Sequence, residues 1–178
     1  MELELEQDDS FSTLLITLMR HGEASGSPDI ERQLTQTGQQ QCRTIGQELR
    51  SRDLLPDFIL CSGVDRTRQS HAALGLNEVP VVFCGEDLYR ASSAREVLGI
   101  IADHVPATAR HPLVIGHNPT IHETVCVLAR ESDNDELLLQ LGRGYPPATA
   151  SVFEFHSDTW DLLHPSTMNL LDILSAEE

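Results

Sequence analysis

The sequence predicts an α/β fold with a mainly parallel central sheet. Three observations lead there. Short apolar, often β-branched runs recur along the 178-residue chain and break at glycine or polar residues. The segments between them carry apolar residues at helical spacing. The two kinds of segment alternate, as they do when crossover helices join parallel strands.

The first strand is expected over about Ser12 to Met19 and runs into Arg20-His21-Gly22-Glu23 at the end of the stretch Leu14-Leu15-Ile16-Thr17-Leu18-Met19-Arg20-His21-Gly22-Glu23. Gly22 accepts backbone angles closed to other residues, so a sharp turn is expected where the strand ends. Ala24 to Asp29 is rich in Gly, Ser and Pro and reads as a loop over the strand's carboxyl end. Thr35 suits the N-cap of a helix running to about Arg52, with Cys42, Ile45 and Leu49 at helical spacing. Phe58 to Cys61 is the second strand, broken by Ser62-Gly63, and a helix follows from Val64 or Asp65 through Leu74. Pro80 to Phe83 is the third strand, and Ser93 to His104 a helix with Val97, Leu98 and Ile101 inward. His111 to Pro119 repeats the opening pattern of buried strand, glycine and histidine, and Pro119 suits the first turn of a helix ending near Arg130. Residues 131–147 give no clear pattern. Ala148 to Phe155 and Thr159 to His164 read as two strands joined at His156-Ser157-Asp158.

Residues 1–11 are expected to be an acidic, flexible lead-in, and residues 12–178 one domain with a substantial core. The start is acidic where a signal peptide is basic, and no apolar run is long enough to cross a bilayer, so a cytoplasmic protein is expected. The 12 basic residues are all Arg and face 28 acidic ones, a net charge of −16. That charge works against binding nucleic acid or anionic membranes. Cys42, Cys61, Cys84 and Cys126 lack C-x-x-C spacing and sit among apolar residues, so buried free thiols are expected.

Three strand ends carry polar groups: Arg20 and His21, then Ser62 with Arg66 one helical turn on, then His117. In a parallel sheet these ends share one edge, where ligands bind. An imidazole held at one nitrogen is a covalent nucleophile at the other. Guanidinium groups fork onto phosphate oxygens. Either histidine alone is more often structural. Two His and two Arg converging make an anion pocket with a nucleophile inside, as phosphoryl transfer requires.

The motifs carry a resemblance. Leu18-Met19-Arg20-His21-Gly22-Glu23 resembles the signature of the histidine phosphatase superfamily, the phosphoglycerate-mutase-like enzymes. Ser62-Gly63-Val64-Asp65-Arg66-Thr67-Arg68-Gln69-Ser70 is similar to its second motif, with Gly63 in place of the usual Pro or Ser and Ser70 in place of Thr. Val114-Ile115-Gly116-His117-Asn118-Pro119 is similar to its third, and Leu34-Thr35 with Gly38 fits the pattern after the first loop. The resemblance implies a three-layer α/β/α fold. It implies His21 as the phosphorylated nucleophile, with Arg20, Arg66 and His117 holding the phosphoryl group and no metal or cofactor.

Many members carry a carboxylate after the third strand, as Leu-x-Glu, to protonate the leaving oxygen. Here Leu88 is followed two places on by Arg90. The short chain, the Leu88-Tyr89-Arg90-Ala91-Ser92 stretch and Gly116-His117-Asn118-Pro119 resemble SixA-type phosphohistidine phosphatases. An imidazole leaving group needs no strong acid once protonated. The implied function is therefore removal of phosphate from phosphohistidine on a phosphorelay protein of the HPt type, in signal transduction. A phosphatase for small phosphoesters, sugar or nucleotide phosphates, remains the alternative and would need Glu86 or Asp87 as its acid. A non-catalytic phosphohistidine-binding module is a third reading, and a mutase the poorest fit. Ser62, through hydroxyl or backbone, and Arg32 are further candidates for phosphate or substrate contact. Glu23 is read as a cap or Arg partner. His71, His104, His111, His122, His156 and His164 carry no motif and receive no role. A monomer is the default expectation.

Overall fold

The structure is a computed structural model that describes residues 12–161 and 163–176. The proposed lead-in, residues 1–11, lies outside the described residues. The sheet is built from β1 (Thr13–Arg20), β4 (Phe58–Cys61), β5 (Val81–Phe83), β6 (Pro112–Gly116), β7 (Ala150–His156) and β8 (Met168–Leu174), in the order β5-β4-β6-β1-β7-β8. The four strands from β5 to β1 are mutually parallel; β7 and β8 add an antiparallel edge. A two-residue ribbon, β2 (Ala24–Ser25) with β3 (Gln33–Leu34), ties off the loop after β1.

Strand side chains alternate between two faces, and two separate cores follow. On one face Leu14, Ile16, Leu18, Leu60 and Val114 pack with helix α4 (Ala94–His104) through Val97 and Ile101 and with α5 (Thr120–Leu128) through Ile121, Val125 and Leu128. On the other face Met19, Ile59, Cys61 and Ile115 meet Cys42, Ile45 and Leu49 of α1 (Gln36–Ser51) and Leu74 of α2 (Asp65–Leu74). The result is three layers, helix, sheet, helix. Thr35 caps α1 as expected, its hydroxyl accepting from Gly38 N at 3.0 Å.

Several expectations need correction. None of the described residues of the expected strand Thr159 to His164 is in a strand: Trp160 is buried there, donates Nε1–H to Ala109 O at 3.3 Å, and meets Phe155 edge-on at 5.1 Å. The strand that pairs with β7 is Met168–Leu174, beyond Pro165, whose missing N–H suits the 3₁₀ turn at Pro165–Thr167. The unclear region holds α6 (Asp135–Gly142), whose N-cap Asn134 accepts from Leu137 N at 3.2 Å. A single turn, α3 (Asp87–Arg90), precedes α4. Pro119 stands at the N-cap of α5, one residue ahead of its first turn. Cys42, Cys61 and Cys84 are buried free thiols, but Cys126 is exposed, because α5 turns Thr124, Val125 and Leu128 inward and Cys126 out.

Candidate active site

The parallel register places the ends of β1, β4 and β6 on one sheet edge: Arg20 is level with Gly116, and Cys61 with Ile115. Beyond β1 the chain stays pinned. His21 N donates to Gly116 O at 3.1 Å, and His21 O accepts from Ala148 N at 3.0 Å. Gly22 does not take positive φ. It is glycine because a Cβ there would lie 2.6 Å from Gly38 O and 2.9 Å from Cys42 Sγ. Close packing against α1, not an unusual turn, fixes that residue. Gly22 N donates to Ser70 Oγ at 3.0 Å, and that hydroxyl donates to Arg66 O at 2.7 Å. One side chain on α2 thus ties the β1 turn to the helix that carries Arg66.

His21 and His117 are both buried, with ring centroids 5.2 Å apart. His21 Nδ1 lies 2.7 Å from Gly22 O. A carbonyl only accepts, so Nδ1 carries the proton and Nε2 holds a lone pair. Arg66 Nε–H donates to that lone pair at 3.1 Å. Burial lowers the His21 pKa to about 4 against the pull of the Gly22 carbonyl, helped by the charges of Arg66, Arg20 and Arg32. The ring is therefore neutral near pH 7, the form a nucleophile needs.

His117 Nε2 lies 2.8 Å from Ser62 Oγ. Burial, then the His21 ring and Arg66, lowers its pKa to about 3. Ser62 is wholly buried, its N–H bonded to Ile115 O at 3.1 Å and its hydroxyl to His117. It sits behind His117 and orients that ring. Arg20 Nη1 donates to Tyr145 O at 2.8 Å, and the Tyr145 hydroxyl donates to Leu18 O at 2.8 Å. Gly63, which departs from the resembled motif, donates its N–H to Gly85 O at 2.6 Å; proline could not, and a Cβ would strike the same carbonyl.

The loop after β1 brings in a residue that the sequence did not single out. Asp29 meets both terminal nitrogens of Arg66: Nη1 donates to its backbone O at 2.7 Å and Nη2 to Oδ2 at 3.1 Å. Tyr89 OH donates to the same Oδ2 at 3.1 Å, and Arg32 Nη1 to Oδ1 at 3.3 Å. Partial burial pulls the Asp29 pKa up, but the Tyr89 hydrogen bond and the Arg66 charge outweigh it and keep the carboxyl below its ordinary value. Tyr89 also lies under the Arg66 guanidinium at 5.4 Å and edge-on to His117 at 5.3 Å. Asp29 opens a single 3₁₀ turn, Asp29–Glu31, and Tyr89 lies in a single helical turn, both too short for hydrophobic spacing to give a signal.

The other candidates are placed as follows. Arg32, about half exposed, donates to Asp29 and to Ala24 O. Glu23 accepts from the Thr35 hydroxyl at 2.7 Å, a capping contact. Glu86 accepts from Arg90 Nε at 2.7 Å on the surface, and exposed Asp87 opens α3. His111, given no role above, is buried against Thr17 Oγ1 at 2.8 Å. Among the described residues no group of three or more His, Cys, Asp or Glu could hold a metal ion. What the arrangement offers is a neutral imidazole lone pair flanked by two Arg and a second His, a setting for an anion undergoing nucleophilic attack.

Comparison with known proteins agrees with this geometry. The profile of the Histidine phosphatase superfamily (branch 1) matches residues 16–88. An uncharacterized protein of Mycobacterium tuberculosis strain H37Rv is 32% identical over 140 residues, covering 75% of this chain and 85% of that protein. A SixA-type candidate phosphohistidine phosphatase from Nakamurella multipartitia is 32% identical with a TM-score of 0.80, over 93% of this chain and 98% of that one. Its counterpart from Agrobacterium tumefaciens is 25% identical with a TM-score of 0.72, over 91% and 98%. A phosphoglycerate mutase from Plasmodium falciparum, 13% identical, shares the fold with a TM-score of 0.59 over 90% of each chain. With its RHG-type strand end, the paired histidines and the matching relatives, the chain belongs to the histidine phosphatase superfamily.

Proposed function

We propose that the chain is a phosphohistidine phosphatase acting on a phosphorylated protein of the HPt type, through a phosphorylated His21. The observation that carries the reading is the His21 ring: Nδ1–H fixed on Gly22 O at 2.7 Å, and an Nε2 lone pair facing Arg66. The entering phosphoryl group takes the place of Arg66 Nε at that lone pair. His21 Nε2 forms the new N–P bond while the bond to the leaving group breaks. Arg20, Arg66 and His117 hold the phosphoryl oxygens as charge spreads over them. Ser62 donates to His117 Nε2, which leaves the His117 Nδ1–H to point at the phosphoryl group. Water then attacks the phosphorus of phospho-His21, the P–N pair returns to Nε2, and the water proton leaves with the phosphate. The likeness to the Nakamurella protein supports the substrate class. So does Glu86, which is engaged with Arg90 instead of standing ready as a proton donor.

Small phosphoesters are the second reading. It draws on Asp29, an exposed carboxylate bonded to Arg66 at the edge of the site, as the proton donor. The test is phosphate release from a phosphorylated histidine-containing phosphotransfer domain, with p-nitrophenyl phosphate alongside. Fast release from the domain and slow release from the ester is the expected result. The reverse would establish the phosphoester reading, and binding of the domain without release from either would establish a binding module.

A further inference from the structure

Asp29 poses a problem for any phosphate site. An ionised carboxylate is bonded to the guanidinium that should take the substrate's oxygens, and a single guanidinium separates it from the nucleophile. Arg66 Nε is 3.1 Å from His21 Nε2, and Arg66 Nη2 is 3.1 Å from Asp29 Oδ2. Such an anion repels an incoming phosphate dianion and competes for Arg66. Its hydrogen bonds favour the charged form, which suits it poorly to giving up a proton. What an anion beside a phosphoryl site can favour is a cation on the leaving group. Alkyl and aryl phosphates have none there. Phosphohistidine does: the ring nitrogen that does not bear phosphorus protonates near neutral pH.

We infer that Asp29 selects phosphohistidine by accepting a hydrogen bond from the imidazolium N–H of the substrate, with Tyr89 and Arg32 holding its carboxylate in place. The inference rests on the phosphohistidine reading above and adds the group that enforces it. The step balances without a proton donor. The imidazolium N–H sits on Asp29, and His21 Nε2 forms its bond to phosphorus. The substrate P–N bond breaks with its electron pair returning to that nitrogen. The leaving ring departs as neutral imidazole, its proton still on the other nitrogen. Asp29 stays ionised throughout.

The test is Asp29→Asn, assayed on the phosphorylated phosphotransfer domain and on p-nitrophenyl phosphate. The quantity read is the ratio of the two kcat/KM values. A hydrogen bond between charged groups is lost, so the ratio should fall roughly tenfold to a hundredfold, with the loss in the phosphohistidine arm. The ester arm should rise, as Arg66 is freed from a competing carboxylate. An unchanged ratio overturns the inference, and so does a ratio that rises because the ester arm collapses, which is the mark of a proton donor. If Asp29→Asn is inactive on both substrates, Tyr89→Phe decides: loss of its hydroxyl should lower the same ratio by a smaller factor, and an unmoved ratio overturns the inference. A wild-type protein that hydrolyses the ester and not the domain refutes the phosphohistidine reading itself. A wild type active on the domain with an unmoved variant ratio refutes only the role of Asp29.

Discussion

His21 has its tautomer set by one backbone carbonyl and its charge state set by burial. An NMR titration of its ring resonances should give a midpoint near pH 4, far below the 6.5 of a free imidazole. A midpoint near 6.5 would mean that the pocket is wetter than this structure. His117 is likewise kept neutral by burial, and Ser62 Oγ holds its Nε2 at 2.8 Å. Ser62→Ala removes one hydrogen bond to a buried neutral ring, and kcat/KM should fall about threefold to tenfold. Ser62→Thr should recover part of that loss if the hydroxyl is what counts. Arg20, His21, Arg66 and His117 were legible in the sequence because each stands at or one turn beyond a strand end, and strand ends can be counted. Asp29 was not, since a three-residue 3₁₀ turn shows no period and its carboxylate reaches Arg66 only through the fold. Glu86 is a candidate acid in sequence only for the phosphoester alternative and otherwise reads as a solvated turn residue; in the structure an i,i+4 partner, Arg90, holds it at the surface.

The β1 turn works because helices close over it. Gly22 packs on Gly38 and Cys42 of α1, and Ser70 of α2 braces its N–H. Gly22→Ala forces a methyl into space already filled, so it should cost about 1–3 kcal/mol in urea denaturation. Activity should fall as well, since His21 is the adjacent residue. A Gly22→Ala protein as stable as the parent would show that the turn gives way. Sequence reading placed α1, α2, α4 and α5 well, because each has a buried stripe and most have recognisable ends. It failed at the last strand. There Trp160 is buried by side-chain packing against Phe155 outside any ladder, and the true edge strand follows Pro165. Alternation over a few residues cannot separate a strand from a buried loop carrying one large aromatic.

At the scale of the molecule the mixed sheet joins two cores, and buried histidines link the fold to pH. His21, His111 and His117 have folded pKa values of about 4, 4 and 3, against about 6.5 unfolded. As pH falls below that value the unfolded chain takes up protons that the folded protein refuses. Their contribution to stability is therefore complete above about pH 6.5 and is lost progressively as pH falls towards 4 and below. His111 alone accounts for on the order of 3 kcal/mol at 1.36 kcal/mol per pKa unit. Thermal melts should show Tm falling through that window, and His111→Gln should flatten the fall. A Tm independent of pH between 6.5 and 4 would contradict the burial. The parallel core of the sheet was legible from the alternation of strands and helices, whereas the antiparallel edge was read only in part, because its outer strand begins after the turn at Pro165–Thr167 and not after His156-Ser157-Asp158.

The claim on which all scales converge is that His21 carries the phosphoryl group. The protein should be mixed with a phosphorylated phosphotransfer domain, quenched in alkali, where phosphohistidine survives, and digested for mass spectrometry. The account predicts a phosphoryl adduct on the peptide containing His21, absent from His21→Ala, which should also have no turnover. Turnover by His21→Ala, or an adduct on any other residue, would contradict it.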